Sequence, residues 1–193
     1  GQTLEALQAA ALTADAGGSA TIPGDLYSGI GAAAFMGIAE LLTVVIPNSI
    51  TVIGSDAFRQ TGLTSVVIPN SVTYIGDGAF HSCRSLSSVV IGPSVTTIGA
   101  RAFYNTSLTS VVIPASVTHI HEAAFGATAV GCIALPISAY FVHTTAFSFL
   151  SHGTPAFLCG GDPALGFGVC LYDACQPNQF LCPLEPSCAA AAA

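Results

Sequence analysis

The sequence has very little charge and contains no lysine. Charged residues make up 7% of its 193 residues, and its three cations are all arginines: Arg59, Arg84 and Arg101. With a formal net charge of −7, the chain lacks the clustered cations that neutralise phosphates. These features argue against nucleic acid or anionic lipid as a partner. A surface this poor in charge suits a chain covered by another protein better than a free cytosolic one.

Long apolar runs and catalytic constellations are also missing. The hydrophobic fraction is 52%, yet the longest apolar candidate, residues 129–147, is interrupted by Pro136, Ser138 and His143, so we expect no membrane span. No basic segment followed by an apolar core opens the chain, so we expect any signal peptide to have been removed. No paired carboxylates, nucleophile–base arrangement or phosphate-binding glycine loop occurs at matching spacing. We therefore expect neither an enzyme nor a bound cofactor.

What the sequence has instead is one eighteen-residue phrase that occurs four times. Residues 63–80 (LTSVVIPNSVTYIGDGAF) and 108–125 (LTSVVIPASVTHIHEAAF) share most of their letters, and further copies occupy residues 41–58 and 86–103. The common frame is L-x-x-V-x-I-P-x-S-V-x-x-I-G-x-x-A-F. Less regular copies precede and follow these four, which gives about six coils. A fixed period of this length indicates a solenoid, in which each coil buries the apolar side of the next.

The constant positions of the frame have physical explanations. Pro69 ends a short strand because it lacks a ladder donor. Ser71 can turn the backbone with its hydroxyl, and Gly76 relieves the turn into a short helical piece. The side chains expected to point inward in this coil are Leu63, Val66, Ile68, Val72, Ile75, Ala79 and Phe80.

The frame resembles the motif of the BspA-type leucine-rich repeat family, roughly L-x-x-I-x-I-P-x-S-V-x-x-I-G-x-x-A-F-x-x-C-x-x-L. One copy keeps the trailing cysteine, in the segment AFHSCRSL with Cys83 and Leu86. The resemblance covers about residues 20–150. It implies a leucine-rich-repeat solenoid with short parallel strands on a concave face and short helical turns. It also implies a secreted or surface location and a role in adhesion or protein binding, with no catalytic residues.

The segments outside the repeats predict two caps. Residues 1–19 include TLEALQAAALTAD, with alanine and leucine at helical spacing and Thr3 suited to the N-cap, so we expect a helix that covers the first coil. A partner-binding helix is the alternative interpretation. Residues 151–193 are rich in glycine, proline and cysteine and predict a loop-built C-terminal cap.

Five of the seven cysteines lie in this C-terminal segment, without a C-x-x-C pair. Disulfides therefore fit better than a zinc site, with reduced thiols as the alternative. We expect Cys83 to stay free as a small buried hydrophobe. Disulfides imply an oxidising compartment: outside the cell, at its surface, or in an organelle lumen such as the thylakoid lumen. The sequon Asn105-Thr106-Ser107 is compatible with secretion. The disulfide candidates are Cys132, Cys159, Cys170, Cys175, Cys182 and Cys188.

The best candidate for a binding site is a column of small uncharged residues on the strands, expected to point outward from the concave face. An exposed apolar β surface usually marks a contact with another protein, although a β-branched column can also serve strand propensity alone. The residues are Thr43, Val45, Ser65, Val67, Ser88, Val90, Ser110 and Val112.

Two other groups have stronger structural than functional interpretations. One is a threonine column that could order water as in ice-binding solenoids, or could simply favour strands: Thr51, Thr73, Thr96 and Thr118. The other is a possible surface metal site, more simply explained as an exposed polar turn: His119, His121, Glu122 and His143.

Together these features predict a non-catalytic scaffold for protein–protein interaction. We expect a stable subunit of a larger extracytoplasmic or lumenal assembly. The alternative is a secreted or cell-surface adhesion module that binds a host protein or a glycan.

Overall fold

The computed structural model describes residues 2–5, 17–130, 132–136, 138–139, 141–143, 145–147 and 157–160. These residues form a solenoid of short parallel strands, as the repeat frame predicts. The strands are β1 (Gln2–Leu4), β2 (Ser19–Thr21), β3 (Tyr27–Ile30), β4 (Thr43–Val45), β5 (Val52–Ile53), β6 (Ser65–Val67), β7 (Tyr74–Ile75), β8 (Ser88–Val90), β9 (Thr97–Ile98), β10 (Ser110–Val112), β11 (His119–Ile120), β12 (Cys132–Leu135), β13 (Phe141–Val142) and β14 (Phe157–Gly160).

Odd- and even-numbered strands belong to different sheets. The odd strands form one seven-stranded sheet in the order β1-β3-β5-β7-β9-β11-β13, and the even strands pair as β2-β4, β6-β8 and β10-β12-β14. Equivalent repeat positions face each other: Val66 pairs with Val89, and Ile75 pairs with Ile98. Every coil therefore adds one rung to each side, and each repeat position becomes a column along the solenoid.

The recurring phenylalanines form a single file through the interior. Their ring centroids are separated by 5.0, 5.2, 5.2, 5.3 and 5.6 Å, and neighbouring ring planes differ by no more than 8°. The rings are all buried, and five of the six have no exposed area. Six coils thus share one continuous apolar core. The stacked rings are Phe35, Phe58, Phe80, Phe103, Phe125 and Phe147.

The other positions predicted to point inward are buried as well. Leu63, Val72 and Ile75 have no exposed area, while Val66 and Ile68 are 3% and 1% exposed. The same positions are buried in the neighbouring coils, as Leu86, Val95 and Ile98 show. The frame therefore identified the core correctly.

The prediction of short helical turns was wrong for the part of the chain that the structure describes, where no residue is helical. Each segment around the first five stacked phenylalanines is a series of turns in which two residues have left-handed backbones, for example Asp56 (φ 55°) and Gln60 (φ 58°). A right-handed helix cannot continue through such residues. The amide groups instead bond to the next coil: Phe58 N–H donates to the carbonyl of Ala79 at 2.7 Å.

Gly76 and Ser71 act differently from what the sequence suggested. Gly76 does not have the positive φ of a turn glycine; instead, a Cβ atom there would lie 2.6 Å from the carbonyl carbon of Gly54. The glycine is needed because adjacent coils approach too closely for a side chain. The Ser71 hydroxyl donates to the carbonyl of Ile50 in the preceding coil at 2.6 Å, so it links coils and does not turn its own backbone.

The N-terminal segment begins with a strand where the sequence predicted the start of a helix. Gln2–Leu4 is β1, which pairs in parallel with β3 and buries Leu4 completely. Thr3 is therefore in a strand and does not cap a helix at this position. The strand is favoured here because it places Leu4 in the core beside the first coil. Residues 6–16, which contain the rest of the predicted helix, lie outside the described residues. Among the residues described, no helix could cross a membrane.

Candidate protein-docking face

The outward side chains of β4, β6, β8 and β10 form one exposed face, called here the Ser/Val face. Its valines are 56–62% exposed, and its serines and threonine are exposed beside them. The structure therefore brings the eight candidate residues together on one surface, as expected. They are Thr43, Val45, Ser65, Val67, Ser88, Val90, Ser110 and Val112.

The two-residue period of a strand explains why these side chains point outward. In β6, Val66 is 3% exposed and packs into the core, so Ser65 and Val67 on either side of it must face the solvent. The hydroxyl groups of Thr43, Ser65, Ser88 and Ser110 have no hydrogen bond to any described residue. They are available to a partner.

Charge is absent from this face and from its surroundings. Residues 41–55, 63–76, 86–100 and 108–121 span both strands of four successive coils and contain no aspartate, glutamate, lysine or arginine. A charged group that docked here would lose its hydration without meeting a counter-charge. The Ser/Val face therefore suits an uncharged surface.

The charged residues of these coils lie instead in the turns around the stacked phenylalanines. These turns form one edge of the solenoid, called here the charged edge. Arg59 is 3.5 Å from Asp56, and Arg101 is 3.1 Å from Glu122 in the next coil. The Arg101–Glu122 pair is exposed and the Arg59–Asp56 pair is partly buried, and ion pairs at the surface contribute little to stability. The charged residues of this edge are Asp56, Arg59, Asp77, Arg84, Arg101 and Glu122.

His81 lies on the charged edge and stacks on Tyr104, with ring centroids 5.3 Å apart. Burial lowers the pKa of His81 below its ordinary value, and the positive charges of Arg59 and Arg101 lower it further, against the opposite effect of Asp56. His81 is therefore held in its neutral form at neutral pH.

The threonine column on the other sheet has a structural role. Each hydroxyl donates to a main-chain carbonyl of the preceding coil: Thr73 to Thr51 at 3.2 Å, Thr96 to Thr73 at 3.1 Å, and Thr118 to Thr96 at 3.1 Å. The donor of each of these hydroxyls is therefore used within the protein, where it links one coil to the preceding coil. Each threonine lies one residue before a strand, so the column links coils through its hydroxyl groups and is not itself part of the strands.

The histidine group does not assemble a metal site. The rings of His119 and His121 are 6.3 Å apart, and Phe141 of the next coil contacts both, at 5.6 and 5.7 Å. The Nδ1 atom of His143 is 2.9 Å from the hydroxyl of Thr145. No group of three potential ligands capable of holding a metal ion occurs among the described residues.

Cys83 is a free, fully buried cysteine, as predicted. Its thiol donates to the carbonyl of Phe58 at 2.9 Å and lies 3.2 Å from the hydroxyl of Thr61. Burial raises the pKa of the thiol, more than Thr61 lowers it. Three other coils have threonine here, and Thr106 and Thr128 donate to the carbonyls of Phe103 and Phe125 at 3.0 and 2.8 Å.

Most of the disulfide candidates, Cys170, Cys175, Cys182 and Cys188, lie outside the described residues. Cys132 is in β12 and Cys159 in β14; the backbone register pairs Cys132 with Phe157, and Cys159 with Ala134. The predicted disulfides remain predictions. So does the use of the sequon, where the Asn105 amide donates to the Ser82 hydroxyl at 3.1 Å.

Two features of the site were missed from the sequence. The first is the confinement of charge to one edge, which a comparison of charged positions with the repeat frame would have revealed. The second is the buried column of Thr61, Cys83, Thr106 and Thr128. Its signal is present in the sequence, because each of these residues lies three positions after a core phenylalanine.

Three solved structures are similar to this chain, and the first of them agrees with this architecture. The solved structure of the pneumococcal vaccine antigen PcpA is similar, with a TM-score of 0.56 and 24% identity, over 63% of this chain and 31% of that one. A leucine-rich repeat protein from Bacteroides ovatus has a TM-score of 0.43 and 24% identity, over 62% of this chain and 43% of that one. A leucine rich cell surface protein from Faecalibacterium prausnitzii has a TM-score of 0.43 and 20% identity, over 76% and 60%.

The chain thus spans less than two thirds of the length of each of these proteins, and the likeness shows the fold alone. No curated protein matches the chain. A family model described as "BspA type Leucine rich repeat region" matches residues 18–150 in six copies, which is more than half of the chain. The chain belongs to the BspA-type leucine-rich repeat family.

Proposed function

We propose that this chain is a non-catalytic scaffold that holds a protein partner on its Ser/Val face, as a stable subunit of an assembly outside the cytosol. The observation that carries the proposal is the combination of four valines more than half exposed with the absence of charge around them. An exposed apolar patch of this kind usually marks a contact surface.

The repeat architecture supports this role. Leucine-rich repeats build extended surfaces from columns of equivalent side chains, and binding proteins use such surfaces. The core here is filled by aliphatic side chains and stacked phenylalanines. The columns on the outside are thereby held at fixed spacing, which lowers the entropy cost of binding a partner.

The location outside the cytosol is supported by the cysteine-rich segment 151–193 and the oxidising compartment that its predicted disulfides would need. The alternative function, an adhesion module for a host protein or a glycan, differs in the partner and not in the scaffold. A glycan partner would be distinguished by binding to isolated oligosaccharides.

The experiment that tests the proposal compares two variants of the full chain as bait in the extracytoplasmic fraction of the source organism. Val67→Lys/Val90→Lys places two charges on the Ser/Val face, while Val52→Lys places one on the opposite sheet, where Val52 is 39% exposed. The partners captured by the wild-type chain are identified by mass spectrometry and then purified for binding measurements.

We expect the double variant to lose at least tenfold in affinity for the partner, because each lysine would be buried without a counter-charge. We expect the Val52→Lys variant to bind as the wild type does. Equal binding by all three proteins would refute the docking role of this face. Binding to oligosaccharides with no protein partner would favour the adhesion alternative.

A further inference from the structure

Asn105, Thr106 and Ser107 form the acceptor motif for N-linked glycosylation, in which an asparagine is followed by any residue except proline and then by a hydroxyl residue. The motif lies in the turn of the fourth coil, directly after the stacked ring of Phe103 and Tyr104, and therefore on the charged edge. Asn105 is half-buried and Ser107 is exposed. The structure thus places both defining residues of the motif at the surface.

The repeat frame does not require these two residues. Ser107 has Ala129 as its equivalent in the next coil, so no hydroxyl is needed there. A left-handed backbone suits asparagine, but it does not call for a hydroxyl residue two positions later. The motif is therefore not a by-product of the frame. Residues equivalent to Asn105, all with left-handed backbones, are Gly37, Gln60, Ser82 and Ala127.

The neighbours of Asn105 leave room for a sugar. Ser82 and Ala127 occupy the same turn position in the coils before and after it, and both side chains are small. The Asn105 amide donates one N–H to the Ser82 hydroxyl at 3.1 Å, and its second N–H makes no hydrogen bond to any described residue. Because N-glycosylation replaces only one of the two amide hydrogens, the link to Ser82 is compatible with a glycan.

The folded turn is closed to the transfer reaction itself. The motif requires a hydroxyl group at its third residue, and the Ser107 hydroxyl donates to the carbonyl of Arg84 in the preceding coil. The Asn105 amide is likewise bonded to the preceding coil. The acceptor amide and the required hydroxyl are both free only before the fourth coil packs on the third.

We propose that Asn105 is an N-glycosylation site, modified on the nascent chain before the third and fourth coils pack. The amide nitrogen of Asn105 attacks the anomeric carbon of an oligosaccharide carried by a lipid diphosphate. A carbon–nitrogen bond forms, the bond from that carbon to the phosphate oxygen breaks, the amide loses one proton, and the lipid diphosphate leaves. This inference rests on the proposed function, because the transfer takes place outside the cytosol.

A glycan at Asn105 supplies hydration that the side chains do not. Only 7% of the residues are charged, and an attached oligosaccharide is bulky and solubilising. Its attachment point lies in the turn of the fourth coil and is none of the eight residues of the Ser/Val face. The charged edge therefore carries both the charges and the sugar of these coils.

The experiment uses the full chain isolated from the source organism. Treatment with a peptide N-glycosidase in water enriched in heavy oxygen converts a glycosylated asparagine into a labelled aspartate. Trypsin cuts after Arg101, so the peptide that begins at Ala102 carries Asn105 near its start. We expect the label at Asn105, and we expect the treated chain to be lighter by the mass of one glycan.

Matched variants of the full chain, secreted from a eukaryotic cell line, test the motif residue by residue. Asn105→Gln and Ser107→Ala should both lose the glycan, whereas Ser107→Thr keeps the hydroxyl group and should retain it. The order of events is tested with full chain made in bacteria and given the transferase and its lipid-linked donor. We expect the unfolded chain to be modified and the folded chain to stay unmodified.

An unlabelled Asn105 in the isolated chain would overturn the inference, and so would a glycan retained in Asn105→Gln. Modification of the folded chain would overturn the order of events. An unmodified chain whose partner is still lost in Val67→Lys/Val90→Lys would leave the proposed function intact. A glycosylated chain whose partner binds that double variant as it binds the wild type would refute the docking role and support the glycosylation site.

Discussion

At the scale of single residues, Cys83 lies in a buried column whose other members are Thr61, Thr106 and Thr128, so the column accommodates a thiol as well as hydroxyl groups. Three other coils place a threonine at this position, and its hydroxyl donates to the carbonyl of the phenylalanine three residues earlier. The thiol of Cys83 is a weaker donor than these hydroxyl groups, and it donates to the carbonyl of Phe58 in the preceding coil. In these four coils the position holds a small side chain that carries a donor.

We therefore expect Cys83→Thr to be as stable as the wild type, to within about 0.5 kcal/mol, or more stable. Cys83→Val has the same shape as the threonine variant but no donor, and should be less stable than Cys83→Thr by about 1 kcal/mol, because the threonine variant adds a buried hydrogen bond that valine cannot make. Urea unfolding of the three proteins measures the difference. Equal stability of the two variants would show that the hydrogen bond is unimportant.

His81 gives a residue-scale prediction about pH. Because burial, Arg59 and Arg101 lower its pKa in the folded chain, the unfolded chain binds a proton first as the pH falls below about 6.5. His81 has no effect above that pH. Below it, His81 destabilises the folded chain progressively, until the pH reaches the lowered pKa of the folded state.

His81→Phe removes the proton but keeps a ring beside Tyr104. We expect the variant to lose less thermal stability than the wild type between pH 7.5 and 5. The melting temperatures of the two proteins at each pH provide the measurement, with each protein referred to its own value at pH 7.5. Parallel pH profiles would show that His81 does not contribute.

At the scale of structural elements, the turn around each of the first five stacked phenylalanines uses two left-handed residues that are mostly not glycine. Ala33 has a φ of 54° and is followed by the buried Ala34, which is 2% exposed. The equivalent of Ala33 in the third coil is Gly78, with a φ of 62°. Glycine is thus compatible with this position of the turn.

A pair of neighbouring substitutions tests this account. Ala33→Gly should stabilise the chain by about 0.5–1 kcal/mol, because a left-handed alanine is strained and glycine is not. Ala34→Gly makes the same chemical change one residue later and should destabilise it by about 1 kcal/mol, since its φ is not left-handed and its methyl group is buried. Chemical denaturation of both variants is the measurement. If Ala33→Gly destabilised the chain, the left-handed backbone of Ala33 would not be strained.

The turns also show why some elements were not predictable from the sequence. The alternation of Val66 with Ser65 and Val67 identified the strand and its outward face, because the period of a strand is a local property. The left-handed residues at 56 and 60 are aspartate and glutamine; aspartate tolerates that backbone better than most residues, but glutamine does not signal it. They adopt it because the turn donates hydrogen bonds to the next coil, and a single coil's sequence does not reveal those bonds.

The first strand illustrates the same limit. The alanine and leucine spacing after Thr3 favoured a helix, but the first coil offered an unpaired edge strand, and Gln2–Leu4 pairs with it. Tertiary pairing therefore overrode local propensity at this end. The Ser/Val face could be predicted because it follows from repeat position alone, whereas its partner does not.

At the scale of the whole molecule, the interior is a one-dimensional stack in which each ring contacts only its neighbours. Phe80 lies between Phe58 and Phe103, at 5.2 Å from each. Phe80→Ala should destabilise the chain by about 3–5 kcal/mol, since it removes a fully buried ring and leaves a cavity between two coils.

Phe80→Leu keeps much of the volume, and we expect a loss of about half that amount or less. Guanidinium unfolding of both variants gives the free energies. A loss below about 1 kcal/mol for Phe80→Ala would mean that the coils do not depend on a continuous file.

The separation of charge from the docking surface leads to a final prediction about the whole molecule. Long-range electrostatic steering requires charge near the contact, and the Ser/Val face has none over four successive coils. We therefore expect association through this face to change less than about threefold in affinity between 50 and 500 mM salt. A surface-plasmon or sedimentation titration at several salt concentrations measures this dependence.

The ion pair of Arg101 with Glu122 on the charged edge provides the contrast, because it is 3.1 Å long and exposed to solvent. A contact made through that edge would change severalfold over the same range, and a result of that size would place the partner on the charged edge.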